Sequence, residues 1–380
     1  MKFRWSVAPA QPMLAMQLAK GAGITQLLSQ CLLNRGLSVP EQISGFLQPR
    51  LKQLADPFLL PDMDRAVDRL FRARSGNEPV VIFGDYDVDG VTSSAILLES
   101  LRGLGWNVQC YLPHRMEEGY GLSRDALETC LKRHPARLLI AVDCGSTSVE
   151  SIQWLNGQNV DVIVLDHHQV SNPAPEPVAL VNPQRALANG HAPFTELCSA
   201  GLAFKLAHAL VKHGRDTGLA GAAELDVRLM LDLVALGTIA DVVPLNGENR
   251  ILVSAGLERL NVTKRPGLIA LKQVAQMATK IGTYEVGFQF GPRLNAAGRL
   301  ENAEEALQLL MARNMDEAMP LAQSLDASNR ERQKIERGIL ETVVGDVRAR
   351  FNAETDFVII EGRLPWHIGV VEIVASRVLQ

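Results

Sequence analysis

The sequence contains little cysteine and no long apolar run. Its five cysteines form neither a CxxC pair nor a dense framework, which argues against a disulfide-stapled fold and is typical of reduced thiols. No stretch approaches the roughly 20 apolar residues of a transmembrane helix. The N-terminal stretch MKFRWSVAPAQPM also lacks the apolar core of a signal peptide. We therefore expect a cytoplasmic protein without a membrane-spanning segment.

The chain also carries little net charge. Its formal value of −4 over 380 residues argues neither for nor against an anionic partner. With 47% hydrophobic residues, the chain can bury one large core or two moderate ones. These properties are typical of a globular protein.

The order of apolar patterns predicts an α/β fold. Residues 1–75 contain short helical patterns broken by Gly and Pro, which we expect to pack on the next domain. The runs VVIFG, VQCYL, LLIAV, VDVIVL and VALVN are short, apolar and separated by helix-length segments. Such runs predict a parallel sheet sandwiched by helices. Helical patterns then continue from Cys198 to about Ala312, which places the main domain at 76–312.

The C-terminal part of the sequence predicts a connection to a second domain. Residues 313–351 are polar and charged, and 321–337 contain neither Gly nor Pro, so a long connecting helix is expected. FVIIE is expected to open a new strand, and VVEIVASRVL reads as a helix. One strand and one helix cannot form a core alone. We therefore expect 352–380 to be the incomplete start of a second α/β domain.

Acidic and histidine side chains follow three of the predicted strands and one predicted helix. They are Asp85, Asp87 and Asp89 after VVIFG, Asp143 after LLIAV, Asp166, His167 and His168 after VDVIVL, and Asp241 after the apolar helix VRLMLDLVALGTIA. Ligands of open parallel sheets gather at the carboxyl ends of the strands. These side chains are therefore expected to meet at one edge of the sheet.

Each of these features has a simpler interpretation on its own. The DxDxDG stretch could be an Asx-rich turn or a calcium loop, although it lacks the Glu that an EF-hand has at its twelfth position. Asp143 or Asp241 could cap a helix, and Asp-His-His could be a turn with one core histidine. Their coincidence favours a metal site.

The types of side chain favour a hard divalent ion. Carboxylates with one imidazole and no cysteine select Mn²⁺ or Mg²⁺ over a structural zinc ion. Without a cation, clustered carboxylates would bind protons because their pKa values rise. Two ions about 3.5–4 Å apart, bridged by one Asp, would activate water for displacement at phosphorus.

Several motifs resemble those of a known superfamily. GDYDVDG, VDCG, LDHH and ALGTIADVVPL are similar to successive motifs of the DHH phosphoesterases. EEGYGLS, FGPRLNAAGRL and WHIGVVEIVASR narrow the resemblance to the RecJ family of bacterial single-strand-specific exonucleases. The similarity extends almost from end to end. It implies a metal-dependent 5′→3′ exonuclease that hydrolyses phosphodiester bonds of single-stranded DNA in recombination and repair.

The resemblance also implies roles for the residues of the acidic cluster. The implied ligands of two Mn²⁺ or Mg²⁺ ions are Asp87, Asp89, Asp143, His167 and Asp241. Asp143 would bridge the ions, His168 would contact the scissile phosphate, and Asp85 would hold the loop. Related phosphatases have a histidine where this sequence has Phe83. The ion bound by Asp87 is therefore expected to bind only when substrate arrives.

The resemblance assigns other residues to the DNA strand. Arg293, Asn295 and Arg299 resemble a loop that contacts phosphates, although these arginines could instead pair with the nearby acids Glu301, Glu304 and Glu305. Arg115 and Tyr120 would lie near the cleft, where Tyr120 either stacks on a base or, as slightly favoured, packs. Ser376 and Arg377 would hold the 5′ end, and His367 is expected to be structural.

Two departures from the family and two rival functions remain open. Glu372 stands where the family pattern leads us to expect Gly, and the sequence ends within the second domain, so weak activity is expected.

The expected partners are single-stranded DNA and a helicase or single-strand-binding protein, and the chain is expected to be a monomer. The rivals are a DHH enzyme acting on short oligonucleotides, cyclic dinucleotides or pyrophosphate, and a non-catalytic scaffold.

Overall fold

A computed structural model of the chain describes residues 6–187, 194–352 and 354–379. Its centre is a sheet of five parallel strands in the order β2-β1-β3-β4-β5. The strands are β1 Val80–Gly84, β2 Val108–Tyr111, β3 Leu138–Val142, β4 Asp161–Leu165 and β5 Ala179–Val181. They coincide with the five apolar runs, so the predicted parallel sheet is confirmed.

Helices cover both faces of this sheet. On one face, Val80 and Ile82 of β1 join a large core with α4 Met63–Ser75, α5 Val88–Gly103, α10 Ser199–Asp216 and α11 Leu231–Ala240. On the other face, Val81 and Phe83 pack with α7 Arg124–Arg133 and α8 Val149–Gly157. Side chains of a strand alternate between the two faces, so a strand buried on both sides is apolar throughout. The predicted sandwich is confirmed.

The N-terminal helices form a small separate cluster. Helices α1 Pro12–Ala22, α2 Gln26–Leu33 and α3 Pro40–Leu47 bury a small apolar core that includes Ile43. The chain then returns to the main domain, where a buried ion pair fixes it. Lys205 Nζ donates to the Ala55 carbonyl at 2.9 Å, and Glu248 Oε1 accepts from the Ala55 amide at 2.5 Å.

The remaining elements are short connections and the helices of the C-terminal half. The short helices are α6 Arg115–Glu118 and α9 Gln184–Leu187, with 3₁₀ turns at Leu51–Gln53, Pro57–Leu59 and Val227–Met230. The C-terminal helices are α12 Gly247–Asn261, α13 Pro266–Val274, α14 Thr283–Glu285, a π-helical turn Val286–Phe290, α15 Gly291–Leu300 and α16 Glu304–Met311. The helical region predicted between Cys198 and Ala312 is confirmed.

The motif GPRLNAAGRL forms a helix, and the prediction of a loop there was wrong. Pro292 lies in the first turn of α15, where its missing N–H costs nothing. Leu294 and Ala297 are buried, so one side of the helix packs against the core. Side chains of this motif therefore point in directions fixed by a helix.

A helix of 36 residues, α17 Met315–Arg350, leads from the main domain to the C-terminal segment. Its first part packs on α13, α15 and α16, and its later residues Ile339 and Val343 pack with α18 Ile368–Val378. This confirms the predicted bridging helix and the helix at VVEIVASRVL, whereas the domain boundaries stay a prediction. Among the described residues, none of the helices combines the length and the apolar character that a membrane span requires.

The strand expected at FVIIE is absent from the described residues. Phe357 and Ile360 are 93% and 87% exposed, and none of β1 to β5 lies beside them. A strand needs a neighbour for its backbone N–H and C=O groups. The β-branched composition of this segment predicted a strand without showing whether it had a partner.

Candidate metal centre

The acidic motifs meet at the carboxyl edge of the sheet because the strand ladder continues one residue beyond β1 and β3. The Asp85 amide donates to the Val142 carbonyl at 3.1 Å, and the Asp143 amide donates to the Leu165 carbonyl at 3.0 Å. This register places the residues that follow β1, β3 and β4 side by side. Asp241 reaches the same edge as the C-cap residue of α11.

His167 Nε2 lies close to carboxylate oxygens of three aspartates. Nε2 of His167 lies 3.4 Å from Asp143 Oδ1, 3.5 Å from Asp241 Oδ2 and 3.9 Å from Asp89 Oδ2. Adjacent ligand atoms of one octahedral ion of this size are about 3 Å apart. His167 Nε2 and Asp241 Oδ2 are buried without a hydrogen-bond partner, which is costly unless something else binds them. The residues present therefore fit a divalent cation, and we call this group the four-ligand site.

The start of α10 holds two of these carboxylates in place. Asp89 accepts from the Ser199 amide at 2.7 Å and from the Ala200 amide at 2.9 Å. The Ser199 hydroxyl donates to Asp143 Oδ1 at 2.9 Å. The N-terminal amides of a helix favour negative charge, so α10 stabilises carboxylates that are almost wholly buried. Ser199 was not predicted, because it is 110 residues from Asp89 and no local pattern joins them.

A second group lies beside the first. Oxygen atoms of Asp85, Asp87 and Asp143 approach one another within 4.8 Å. Asp87 also caps α5, accepting from the Asp89 amide at 2.9 Å and the Gly90 amide at 3.1 Å. A Cβ atom on Gly90 would lie 2.4 Å from the Asp85 carbonyl oxygen, so this tight turn requires glycine.

The position of Asp85 differs from what its predicted role in holding the loop requires. Asp85 was expected to hold the loop, yet its Oδ1 is buried without a hydrogen-bond partner and lies within ligand range of Asp87 and Asp143. Phe83 is fully buried in β1 and supplies no ligand. Asp85 is therefore placed where it could contribute a third carboxylate to the second group.

The protonation of the cluster reflects its burial. Burial and the charge of Asp143 raise the pKa of Asp87 to about 7, and burial raises the pKa of Asp241 to about 6. Burial also raises the pKa of Asp89 well above its ordinary value. Burial alone would lower the pKa of His167, but the adjacent Asp143 carboxylate and the charges of Asp89 and Asp241 raise that pKa to about 10. Bound protons therefore offset the negative charge of the carboxylates when no cation is bound.

His168 is oriented by Asp166, which was expected at this edge of the sheet without an assigned role. His168 Nδ1 lies 2.7 Å from Asp166 Oδ1, and the amides of His167 and Ser146 also donate to Asp166. Burial alone would raise the pKa of Asp166, but hydrogen bonds from His168 and Ser146 hold it at about 2. The hydrogen bond to Asp166 raises the pKa of His168. Asp166 is thus a positioning residue for a half-exposed imidazole.

The predicted strand contacts on α15 point to three different elements. Asn295 Oδ1 accepts at 2.9 Å from the amide of Val88, the first residue of α5, which stands between Asp87 and Asp89. Arg293 Nε donates to Asp326 Oδ1 of α17 at 2.9 Å, and Arg299 Nη1 donates to the Gly369 carbonyl at 3.0 Å. The expected alternative partners Glu301, Glu304 and Glu305 pair with neither arginine in the part of the chain that the structure describes.

The other predicted contacts lie at the margin of the cluster. The Arg115 guanidinium lies 5.1 Å from the ring centre of Tyr86, and Tyr120 contacts that ring at its edge. Tyr120 is 61% exposed, which leaves it free to stack. Arg377 pairs with Glu336 of α17 at 2.6 Å, and Ser376 is exposed on α18. His367 caps α18 by accepting from the Gly369 amide, in keeping with a structural role.

A thiol lies next to the four-ligand site, which the sequence did not indicate. Cys198 approaches ligand atoms of Asp89 and Asp241 within 4.8 Å. Burial and the charge of Asp89 raise the pKa of this thiol well above its ordinary value, and its Sγ donates to the Thr238 hydroxyl. A protonated thiol is a poor metal ligand, so Cys198 does not change the preference for a hard ion.

Comparisons with known proteins point to one family. Residues 79–238 match the DHH family, N-terminal domain. The single-stranded-DNA-specific exonuclease RecJ of Bacillus subtilis is 37% identical over 100% of this chain and 46% of that protein. RecJ of Escherichia coli is 36% identical over 94% of this chain and 62% of that protein. The chain spans about half the length of the curated relatives it matches.

Solved structures give the same result. A crystal structure of exonuclease RecJ bound to manganese matches with a TM-score of 0.73 and 35% identity, covering 86% of this chain and 78% of that one. RecJ in complex with Mn²⁺ from Thermus thermophilus matches with a TM-score of 0.79 and 30% identity, covering 98% of this chain and 51% of that one. A Mg²⁺ complex from the same organism matches with a TM-score of 0.71.

Proposed function

The chain belongs to the RecJ family of DHH proteins, and we propose that it hydrolyses phosphodiester bonds of single-stranded DNA from the 5′ end. The observation that carries this proposal is the convergence of three carboxylate oxygens on His167 Nε2, at 3.4–3.9 Å. The names of the relatives, single-stranded-DNA-specific exonucleases, support the substrate. The direction of cleavage rests on the sequence resemblance.

The clustering of these carboxylates with His167 also supports the binding of two metal ions. Asp89, Asp143, Asp241 and His167 would hold one Mn²⁺ or Mg²⁺, and Asp85, Asp87 and Asp143 would hold a second. The Mn²⁺ and Mg²⁺ complexes of related RecJ structures support this choice of ions. Bound ions of this kind lower the pKa of water and offset negative charge on phosphate oxygens.

The residues of the chain itself orient and stabilise the reacting phosphate. Asp166 fixes the ring of His168 through Nδ1 and favours its charged form, so the ring can donate a hydrogen bond to a phosphate oxygen as negative charge builds up. Ser199 fixes the Oδ1 atom of Asp143. Because these partners are set before substrate binds, little reorganisation is required during the reaction.

The single strand would enter beside this cluster. Arg115 and Arg299 supply positive charge next to Tyr86, and Tyr120 offers an exposed ring on which an unpaired base can stack. Bases that are paired in a duplex cannot reach such a ring.

We further propose that the chain is a cytoplasmic monomer that receives unpaired DNA from a helicase or a single-strand-binding protein. This part rests on the need for unpaired substrate.

A labelled-strand assay tests the proposed function. A 30-nucleotide strand, labelled at its 5′ end or its 3′ end, is incubated with the chain in Mn²⁺ or in EDTA, alone or as a duplex. We expect mononucleotide release from the 5′ label first, only from the single strand and only in Mn²⁺.

The same assay separates the rival functions. A dinucleotide and a cyclic dinucleotide are incubated in parallel with the strand. Hydrolysis of these small substrates with the long strand left intact would show a short-oligonucleotide phosphodiesterase instead. Binding of the strand without hydrolysis of any substrate would show a scaffold. Early release of the 3′ label would reverse the proposed direction.

A further inference from the structure

Glu372 lies between two arginines at the margin of the carboxylate cluster. Its Oε2 atom is 3.7 Å from Arg299 Nη1 and 3.9 Å from Arg115 Nη2. The side chains of both arginines are 22% exposed, whereas that of Glu372 is 70% exposed. The three residues come from α15, α6 and α18, so the tertiary fold alone brings them together.

The two guanidinium groups need a negative charge beside them. Burial and the nearby charge of Arg115 lower the pKa of Arg299, and Glu372 counteracts this effect. In the described part of the chain, Glu372 is the one carboxylate that lies within 4.0 Å of the guanidinium group of Arg115 or of Arg299. Half-buried arginines that repel each other form a site for an anion, and here a side chain of the protein provides the anion.

This arginine pair adjoins the loop that carries the metal ligands. Arg115 lies over the ring of Tyr86. In the sequence, Tyr86 stands between Asp85 and Asp87. A Cβ atom on Gly298 would lie 2.4 Å from the Tyr86 carbonyl oxygen, so α15 packs directly on that loop one residue before Arg299. An anionic group held by the two arginines therefore lies next to the site where a phosphodiester would be hydrolysed.

We propose that Glu372 is a resident counter-ion that the terminal phosphate of a DNA strand must displace, and that it thereby sets the selectivity for phosphorylated ends. This inference rests on the proposed function. Displacement is easy because long contacts on an exposed side chain contribute little. The displaced carboxylate nevertheless stays close and repels the phosphate. The protein should therefore discriminate weakly between strands with a 5′-phosphate and strands with a 5′-hydroxyl.

Glu372→Gln is expected to increase this discrimination. Removing one negative charge next to the bound phosphate should raise the affinity for a 5′-phosphorylated strand up to about fivefold, with little change for the 5′-hydroxyl strand. Glu331→Gln is the matched control, because Glu331 is an exposed residue of α17 that contacts only Lys334 among charged side chains of the described chain.

The experiment measures binding of two fluorescent strands that carry phosphorothioate linkages, which resist hydrolysis, near a 5′-phosphate or 5′-hydroxyl end. Affinity for inorganic phosphate is measured alongside. An increased preference ratio in Glu372→Gln, together with an unchanged ratio in Glu331→Gln, supports the proposal. Equal ratios and equal phosphate affinity in the parent chain and Glu372→Gln would overturn it. Hydrolysis of an unmodified strand by the parent chain tests the proposed function separately, since its failure leaves that strand intact whatever the ratio.

Discussion

Asp143→Asn is expected to lower the rate of single-stranded DNA hydrolysis by about a thousandfold or more, without unfolding the chain. Asp143 lies within ligand range of both carboxylate groups. An amide carries no charge and presents an NH₂ group where a cation would bind. Loss of one group that stabilises charge in a transition state costs about two to three orders of magnitude, and Asp143 serves two proposed ions.

The backbone makes asparagine the suitable replacement. Asp143 has φ = 63°, in the left-handed region that Asn and Asp tolerate better than other non-glycine residues. Asn also keeps an oxygen that can accept from the Ser199 hydroxyl. The fold should therefore survive, and in EDTA the melting temperature should not fall, because one of several crowded carboxylates is removed.

Initial rates on a 5′-labelled strand in Mn²⁺ and thermal melting in EDTA measure the two effects. Asp125→Asn is the matched control, since Asp125 is exposed in the first turn of α7 and should retain the parent rate. Turnover by Asp143→Asn within a few-fold of the parent chain would contradict the bridging role. A large loss of melting temperature would show that Asp143 serves the fold instead.

The affinity for Mn²⁺ is expected to rise steeply with pH. The pKa values of Asp87 and Asp241 are raised to about 7 and about 6, and that of His167 to about 10, so each group holds a proton over part or all of the range from pH 6 to 8. A metal ion binds only the deprotonated groups. Each released proton changes the apparent dissociation constant about tenfold per pH unit. We therefore expect at least this slope, with weaker binding at lower pH.

The stability of the metal-free chain should change in the opposite direction. The folded-state pKa values of Asp87 and Asp241 lie above the ordinary value of 3.8, and that of His167 lies above 6.5. At these three groups the folded chain therefore binds more protons than the unfolded chain. From these groups, stability is present at low pH and is lost as pH rises, between about 4 and 7 for the acids and above 6.5 for His167. Mn²⁺ should restore it at high pH.

Calorimetric titration with Mn²⁺ in two buffers of different ionisation enthalpy counts the released protons. We expect more than one proton per ion at pH 7. Melting curves in EDTA and in excess Mn²⁺ from pH 5 to 8 measure the stability effect, with about 3 °C of stabilisation by Mn²⁺ at a hundredfold excess over its dissociation constant. An affinity that stays constant over this range would show that these side chains do not bind the metal.

The sequence was sufficient to predict the sheet and the meeting of the acidic motifs. A parallel sheet brings the carboxyl ends of its strands to one edge, so local patterns determine which residues meet there. Asp85, Asp143 and His167 follow three strands whose apolar runs are clear in the sequence. Asp241 is not covered by this rule, because it ends a helix and not a strand.

The remaining features depend on contacts between distant parts of the chain. The bond between Asn295 and the Val88 amide spans 207 residues, and nothing near Asn295 indicates that it positions the metal loop. The family resemblance implied a loop at GPRLNAAGRL, but Gly298 serves close packing of a helix on Tyr86. FVIIE has the composition of a strand, whereas pairing requires a neighbour that composition cannot indicate.

The most direct test is X-ray diffraction from crystals grown with Mn²⁺ and measured at the manganese absorption edge. An anomalous peak is predicted within about 2.3 Å of Nε2 of His167 and of one carboxylate oxygen each from Asp89, Asp143 and Asp241. A peak at another place, or these four side chains directed away from a common ion, would contradict a metal centre at this edge of the sheet.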